Sequence, residues 1–162
     1  MKKNLVWVLL VVLGWTMGTS CEKDDDIRRI GAEFSQALNS RYPEAVMAEW
    51  ERKSGYYVAE FYAEGQELKV WYNRNAEWCM TETDLGRGIS GLPQAVSDAF
   101  TASAYGDWAI DDIDKYERPG EIFYLIEVEK RGERDRDLYY SPSGMLLKDD
   151  YDRGDVNPTI KF

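Results

Sequence analysis

Tyr56-Tyr57-Val58-Ala59-Glu60-Phe61 has a counterpart later in the chain, Phe123-Tyr124-Leu125-Ile126-Glu127-Val128. Each hexapeptide is aromatic and aliphatic with a glutamate at its fifth position, which suits a strand with two unlike faces. A second shared element lies downstream of each: Trp71-Tyr72-Asn73 corresponds to Tyr139-Tyr140-Ser141. Upstream, apolar residues recur at helical spacing, as Ile27, Ile30, Phe34, Ala37 and Leu38 in one half and Leu92, Ala95, Val96, Ala99 and Phe100 in the other. The order of helix and then strands is written twice.

Working outward, the spacing predicts a helix over 27–39, closed by Tyr42-Pro43 because a residue before proline avoids helical angles. Strands are expected over 45–53, 56–63, 67–73 and 77–84, separated by Ser54-Gly55, Glu64-Gly65-Gln66 and Arg74-Asn75-Ala76. In the second half, Leu92-Pro93 opens a helix, and strands follow over 108–116, 122–131, 136–141 and 145–150. The expected class is α+β: two tandem helix-plus-four-stranded antiparallel meander repeats, residues 27–85 and 92–150, forming one sheet with both helices on one face. Phe34, Leu38, Phe61, Val96, Phe100 and Val128 should lie in the core. Between the repeats, residues 86–91 read as a glycine-rich connector, since the spacing of phosphate-binding loops is absent. Residues 151–162 read as a loosely attached tail.

Composition narrows the chemistry. The 162 residues carry 30 acidic and 20 basic side chains and no histidine, so Ser-His-Asp, Cys-His and imidazole-metal sites are excluded. A net charge of −10 disfavours a nucleic-acid partner, and 14% aromatic residues imply an ordered core. Asp111, Asp112 and Asp114, and Asp149, Asp150, Asp152 and Asp155, are grouped without the EF-hand pattern; solvated acidic turns are the expectation, with no metal or cofactor. No catalytic residue stands out.

The N-terminus carries an address. Lys2 and Lys3 precede an apolar run, Leu5 to Leu13, of signal-peptide length, so residues 1–20 are expected to be removed. Gly18-Thr19-Ser20-Cys21 resembles a bacterial lipobox, with Gly18 where leucine is usual, which implies acylation of Cys21. Residues 21–26 form an acidic tether that also resembles the surface-export signal of Bacteroides-group lipoproteins. The expected location is the cell envelope, as an outer-membrane lipoprotein facing the periplasm or the surface, touching membrane through its anchor only. Cys79 is then left single, a small packing residue.

The duplicated helix-plus-meander, with Tyr42-Pro43, Trp71-Tyr72-Asn73, Leu92-Pro93 and Ile110-Asp111-Asp112-Ile113-Asp114, resembles the beta-lactamase-inhibitor-like, PepSY-like family of exported Bacteroides-group proteins. The resemblance covers roughly residues 30–150 and implies a beta-lactamase-inhibitor-protein-like fold. Its motifs are packing motifs, so they specify fold better than function.

Alternation assigns the faces. Tyr57, Ala59 and Phe61, with Tyr124, Ile126 and Val128, should meet the helices, as should Leu68, Val70, Tyr72, Leu138 and Tyr140. The open face then bears Tyr56, Val58, Tyr62, Trp71, Phe123, Leu125 and Tyr139, the candidate partner-binding residues. A non-catalytic module binding an envelope protein or peptide, as an inhibitor or partner, is the leading expectation. The alternatives are cross-strand pairs that only stiffen the sheet, a small carboxylate-based enzyme acting on glycans, and a structural spacer.

Overall fold

The computed structural model describes residues 30–151, 154 and 156–162; the signal segment, Cys21 and the acidic tether lie outside them. The elements run α1 (Ala32–Arg41), β1 (Glu49–Lys53), β2 (Tyr56–Ala63), β3 (Gln66–Tyr72), β4 (Trp78–Asp84), α2 (Gln94–Thr101), β5 (Ala109–Arg118), β6 (Glu121–Glu129), β7 (Arg136–Tyr140) and β8 (Leu146–Tyr151). All eight strands form one antiparallel sheet in sequence order. The described residues are therefore α+β, with one open sheet and two α-helices, as expected.

Local chemistry explains the elements. Ser54-Gly55 and Glu64-Gly65 all have left-handed φ, between 51° and 86°, the type I′ geometry whose twist matches flanking strands. Glu33 in the first turn of α1 and Arg41 in the last complement the helix dipole. β1 begins at Glu49 rather than 45, because Met47 takes a left-handed φ of 61° and the amides of Ala45 and Val46 bond back to Tyr42 and Glu44. That turn cannot continue a strand.

Each helix meets one set of alternating side chains. Phe34 and Leu38 of α1 pack with Ala59, Phe61, Val70 and Tyr72. Leu92, with Val96 and Phe100 of α2, packs with Ile113, Tyr124, Ile126, Val128, Leu138 and Tyr140. The six expected core residues are each at most 4% exposed. Gly144, in the β7–β8 turn, lies so close to α2 that a Cβ there would sit 2.3 Å from the Ala95 carbonyl oxygen.

The ladder between the halves pairs mostly polar residues. Thr81 to Asp84 pair with Glu117 to Asp114, and the Arg41 guanidinium reaches across from α1 to Glu117 Oε1 at 3.1 Å.

Two expectations are corrected. Residues 156–162 are not loosely attached: Val156 is 5% exposed, and Val156 and Ile160 join a hydrophobic cluster on the sheet. Asp112 and Asp114 are not in a solvated turn either. They sit within β5, where Asp114 is 7% exposed opposite Asp84 of β4.

Candidate functional site

The side chains that alternate with the helix-packed set form a third cluster: Val58, Trp71, Met80, Tyr116, Phe123, Leu125 and Tyr139, closed by Val156. Register builds it, since Val58 stands opposite Trp71, Trp71 opposite Met80, Tyr116 opposite Phe123 and Leu125 opposite Tyr139. Tyr116 and Phe123 stack with centroids 4.9 Å apart, while Tyr56 meets Trp71 edge-on at 6.0 Å. Such pairs stiffen a sheet beyond the area they bury.

Residues 156–162 lie across this cluster as a strap. Arg118, at the end of β5, donates from Nη1 to the Ile160 carbonyl at 2.6 Å and to the Pro158 carbonyl at 3.3 Å. Its Nε bonds Glu121 at 2.7 Å, which fixes the guanidinium 5.6 Å from the Phe123 ring and 5.5 Å from that of Phe162. Phe162 rests edge-on against Phe123 at 4.9 Å and 5.6 Å from Tyr139, yet stays 41% exposed. The strap turns at Pro158-Thr159, where the Ile160 amide bonds the Asn157 carbonyl at 3.1 Å. Between the strap and β7–β8 lies a cleft of about 200 Å³, lined by Tyr139, Lys148, Val156, Asn157 and Ile160 among others.

The seven candidate partner-binding residues are therefore separated by exposure. Val58, Trp71, Phe123, Leu125 and Tyr139 share one surface, as alternation indicated, but it is not open: each is at most 4% exposed. The strap and their own cross-strand packing cover them. Tyr56 is half-buried at the margin of the cluster. Tyr62 alone of the seven is well exposed, at 70%, and donates its hydroxyl to Glu67 at 2.6 Å. It borders a shallow depression shared with exposed Val46 and Met47. Met80, Tyr116, Arg118 and the strap itself escaped the sequence reading; the Tyr116–Phe123 register was the signal that could have found Tyr116.

Beyond the aromatic cluster the same alternation turns acidic. Asp84, Asp112 and Asp114 bring carboxylate oxygens within 4.8 Å of one another, and these are the described residues that could ligate a hard cation. Burial pushes the Asp114 carboxyl up to about 8, with Glu82, Asp112 and Glu127 adding to the effect. A proton on Asp114 thus relieves the repulsion at neutral pH. Lys69 holds Glu82 at 3.1 Å; burial opposes its ammonium form, but Glu82 outweighs that and raises it. Burial likewise raises Glu82, with Lys69 pulling the other way. Cys79 is half-buried and single, its thiol raised by burial, which argues against a ready thiolate.

An open eight-stranded antiparallel sheet with two helices defines an α+β scaffold. The chain belongs to the family described as "Putative beta-lactamase-inhibitor-like, PepSY-like", which matches residues 55–148. A BLIP-like protein from Bacteroides fragilis is 39% identical, with 83% of this chain and 97% of that one covered and a TM-score of 0.73. A DUF2874 family protein from Bacteroides ovatus is 30% identical over 74% and 85% of the two chains, with a TM-score of 0.70. A Bacteroides eggerthii structure titled "putative periplasmic proteins" is 28% identical over 75% and 88%, with a TM-score of 0.71. No curated protein matches the chain. This inhibitor-like fold points to a non-enzymatic role in binding a protein partner. Among the described residues no helix is long and apolar enough to cross a membrane.

Proposed function

We propose that this chain is an exported, lipid-anchored binding module that holds an envelope protein or peptide on the aromatic side of its sheet. Cys21 carries the acyl anchor, residues 22–26 space the domain from the membrane, and the two helix-plus-meander units descend from one duplicated unit. In this reading both helices share one side. The register supports it, because Val70 stands opposite Thr81, Thr81 opposite Glu117 and Ile113 opposite Ile126, which keeps both helix-packed sets in phase. The other side is left for the partner, with Tyr56 and Tyr62 at its margin and Val58, Trp71, Phe123, Leu125 and Tyr139 as its floor.

The observation that carries the reading is the strap. A segment of chain already occupies the aromatic floor, held by apolar anchors and by two carbonyls on Arg118 and not by a strand ladder. Its hold is modest. Burying Val156 and parts of Ile160 and Phe162 contributes roughly 3–5 kcal/mol, and two bonds from a charged donor roughly 3–6 kcal/mol together. Ordering the backbone of the strap costs roughly 7–10 kcal/mol, so the two sides nearly cancel. A competing segment has little to overcome.

Photo-crosslinking in cells tests the reading. A benzophenone side chain at Tyr56 or Tyr62 should form adducts with an envelope protein, whereas one at Glu33, exposed on α1, should not. Adducts from Glu33 alone, or none from any of the three in a folded protein, would defeat it.

A further inference from the structure

We infer that the floor beneath the strap is a recognition site for an extended segment of another protein with the pattern aliphatic-x-x-x-aliphatic-x-aromatic, and that the strap is its intramolecular competitor. This rests on the binding-module reading above and adds the chemistry of the partner. The strap displays the pattern itself: Val156 is buried, Ile160 is partly buried, and the Phe162 ring lies on Phe123 and Tyr139. Arg118 reads main-chain carbonyls, not side chains, so any segment following the same path presents the same acceptors.

Two observations distinguish an exchangeable occupant from an ordinary layer of core. The strap fits incompletely, leaving the cleft of about 200 Å³ beside Tyr139 and Ile160, where a settled core packs to near crystalline density. Its terminal aromatic is 41% exposed although it sits on two rings.

The probe is a fluorescein-labelled peptide of the strap sequence, Val-Asn-Pro-Thr-Ile-Lys-Phe, titrated against full-length protein by anisotropy. Wild type should bind it weakly, and the Ile160→Ala/Phe162→Ala double variant, whose own strap is loosened, at least ~10-fold more tightly. Adding Arg118→Gln to the double variant should reverse most of that gain, and a peptide with alanine for its last residue should lose it. Equal affinity for wild type and double variant, or no binding to a double variant that still unfolds cooperatively, would overturn the inference. Should the double variant lose cooperative unfolding, a protease site inserted between Tyr151 and Val156 of the otherwise wild-type chain decides. After cleavage, exchange of the severed strap for labelled peptide, read by native mass spectrometry, supports the inference, and a strap that never exchanges refutes it. Peptide exchange without envelope adducts from Tyr56 and Tyr62 would leave the site standing and defeat the functional reading; adducts without exchange would do the reverse.

Discussion

Replacing Asp114 by asparagine should remove a pH dependence that the wild-type chain owes to one buried carboxyl. Asp114 sits in β5, 7% exposed, with Asp112 on its own strand, Glu82 and Asp84 on β4, Glu127 on β6, Lys69 on β3 and the Tyr116 hydroxyl 3.5 Å away. Burial, reinforced by Glu82, raises its pKa from 3.8 to about 8. An acid raised in the folded state keeps a proton that the unfolded chain has already released, so the folded state is favoured at low pH. The contribution is full below pH 3.8 and is lost as pH climbs to about 8. Within that window each pH unit costs about 1.4 kcal/mol, so wild type should lose about 3 kcal/mol between pH 5 and 7. Burial raises Glu82 and Asp112 as well, and they act in the same sense. Urea unfolding followed by tryptophan fluorescence at pH 5, 6, 7 and 8 measures the slope. The Asp114→Asn chain should lack Asp114's share of it and overtake wild type at pH 8. A wild type as stable at pH 8 as at pH 5, or an equal slope in Asp114→Asn, would refute the reasoning.

Other outcomes follow from particular contacts. Phe100, 3% exposed between α2 and the sheet, should cost about 3–5 kcal/mol on truncation to alanine, and Phe100→Asp should abolish cooperative unfolding in calorimetry. Gly144→Ala and Gly132→Ala separate strain from collision: both glycines have left-handed φ, but a Cβ at Gly132 meets nothing within 4 Å while one at Gly144 strikes Ala95. Chemical denaturation should show a loss of about 1–2 kcal/mol for Gly132→Ala and clearly more for Gly144→Ala. Metabolic labelling with a fatty-acid analogue should tag the wild type and not Cys21→Ala; equal labelling would remove the lipid anchor from the proposal.

The side chains that pack on the helices were legible because two similar strands agree. Tyr57, Ala59 and Phe61 match Tyr124, Ile126 and Val128 in phase, and strand β2 runs from Tyr56 to Ala63 as its alternation requires. Of the alternate set, Val58, Trp71, Phe123, Leu125 and Tyr139 share one cluster, but they are buried, and Tyr62 stands apart from it. Alternation gives direction, whereas cover depends on whatever lies above. Val156, Ile160 and Phe162 share one phase of a two-residue period, but they are three apolar residues in a polar stretch broken by Pro158, too sparse to mark a layer. Their docking depends on Arg118 and on rings from distant strands. Asp114 escaped for a similar reason. It reads as one of several surface aspartates until the pairing of β4 with β5 sets it against Asp84 and beneath Glu82.

The strictly sequential strand order has a consequence for how the molecule is made. Every strand hydrogen-bonds only to strands adjacent in sequence, so no strand waits for a distant partner. Loop-closure entropy stays small, and each hairpin can close as soon as its second strand has emerged. A chain delivered N-terminus first would zip up progressively, each new strand adding at one growing edge. The aromatic floor gains its last strands, β7 and β8, late, and the strap that covers it arrives after them. The final segment to seat is also the one whose departure disturbs no ladder, so assembly and opening can share one last, reversible step.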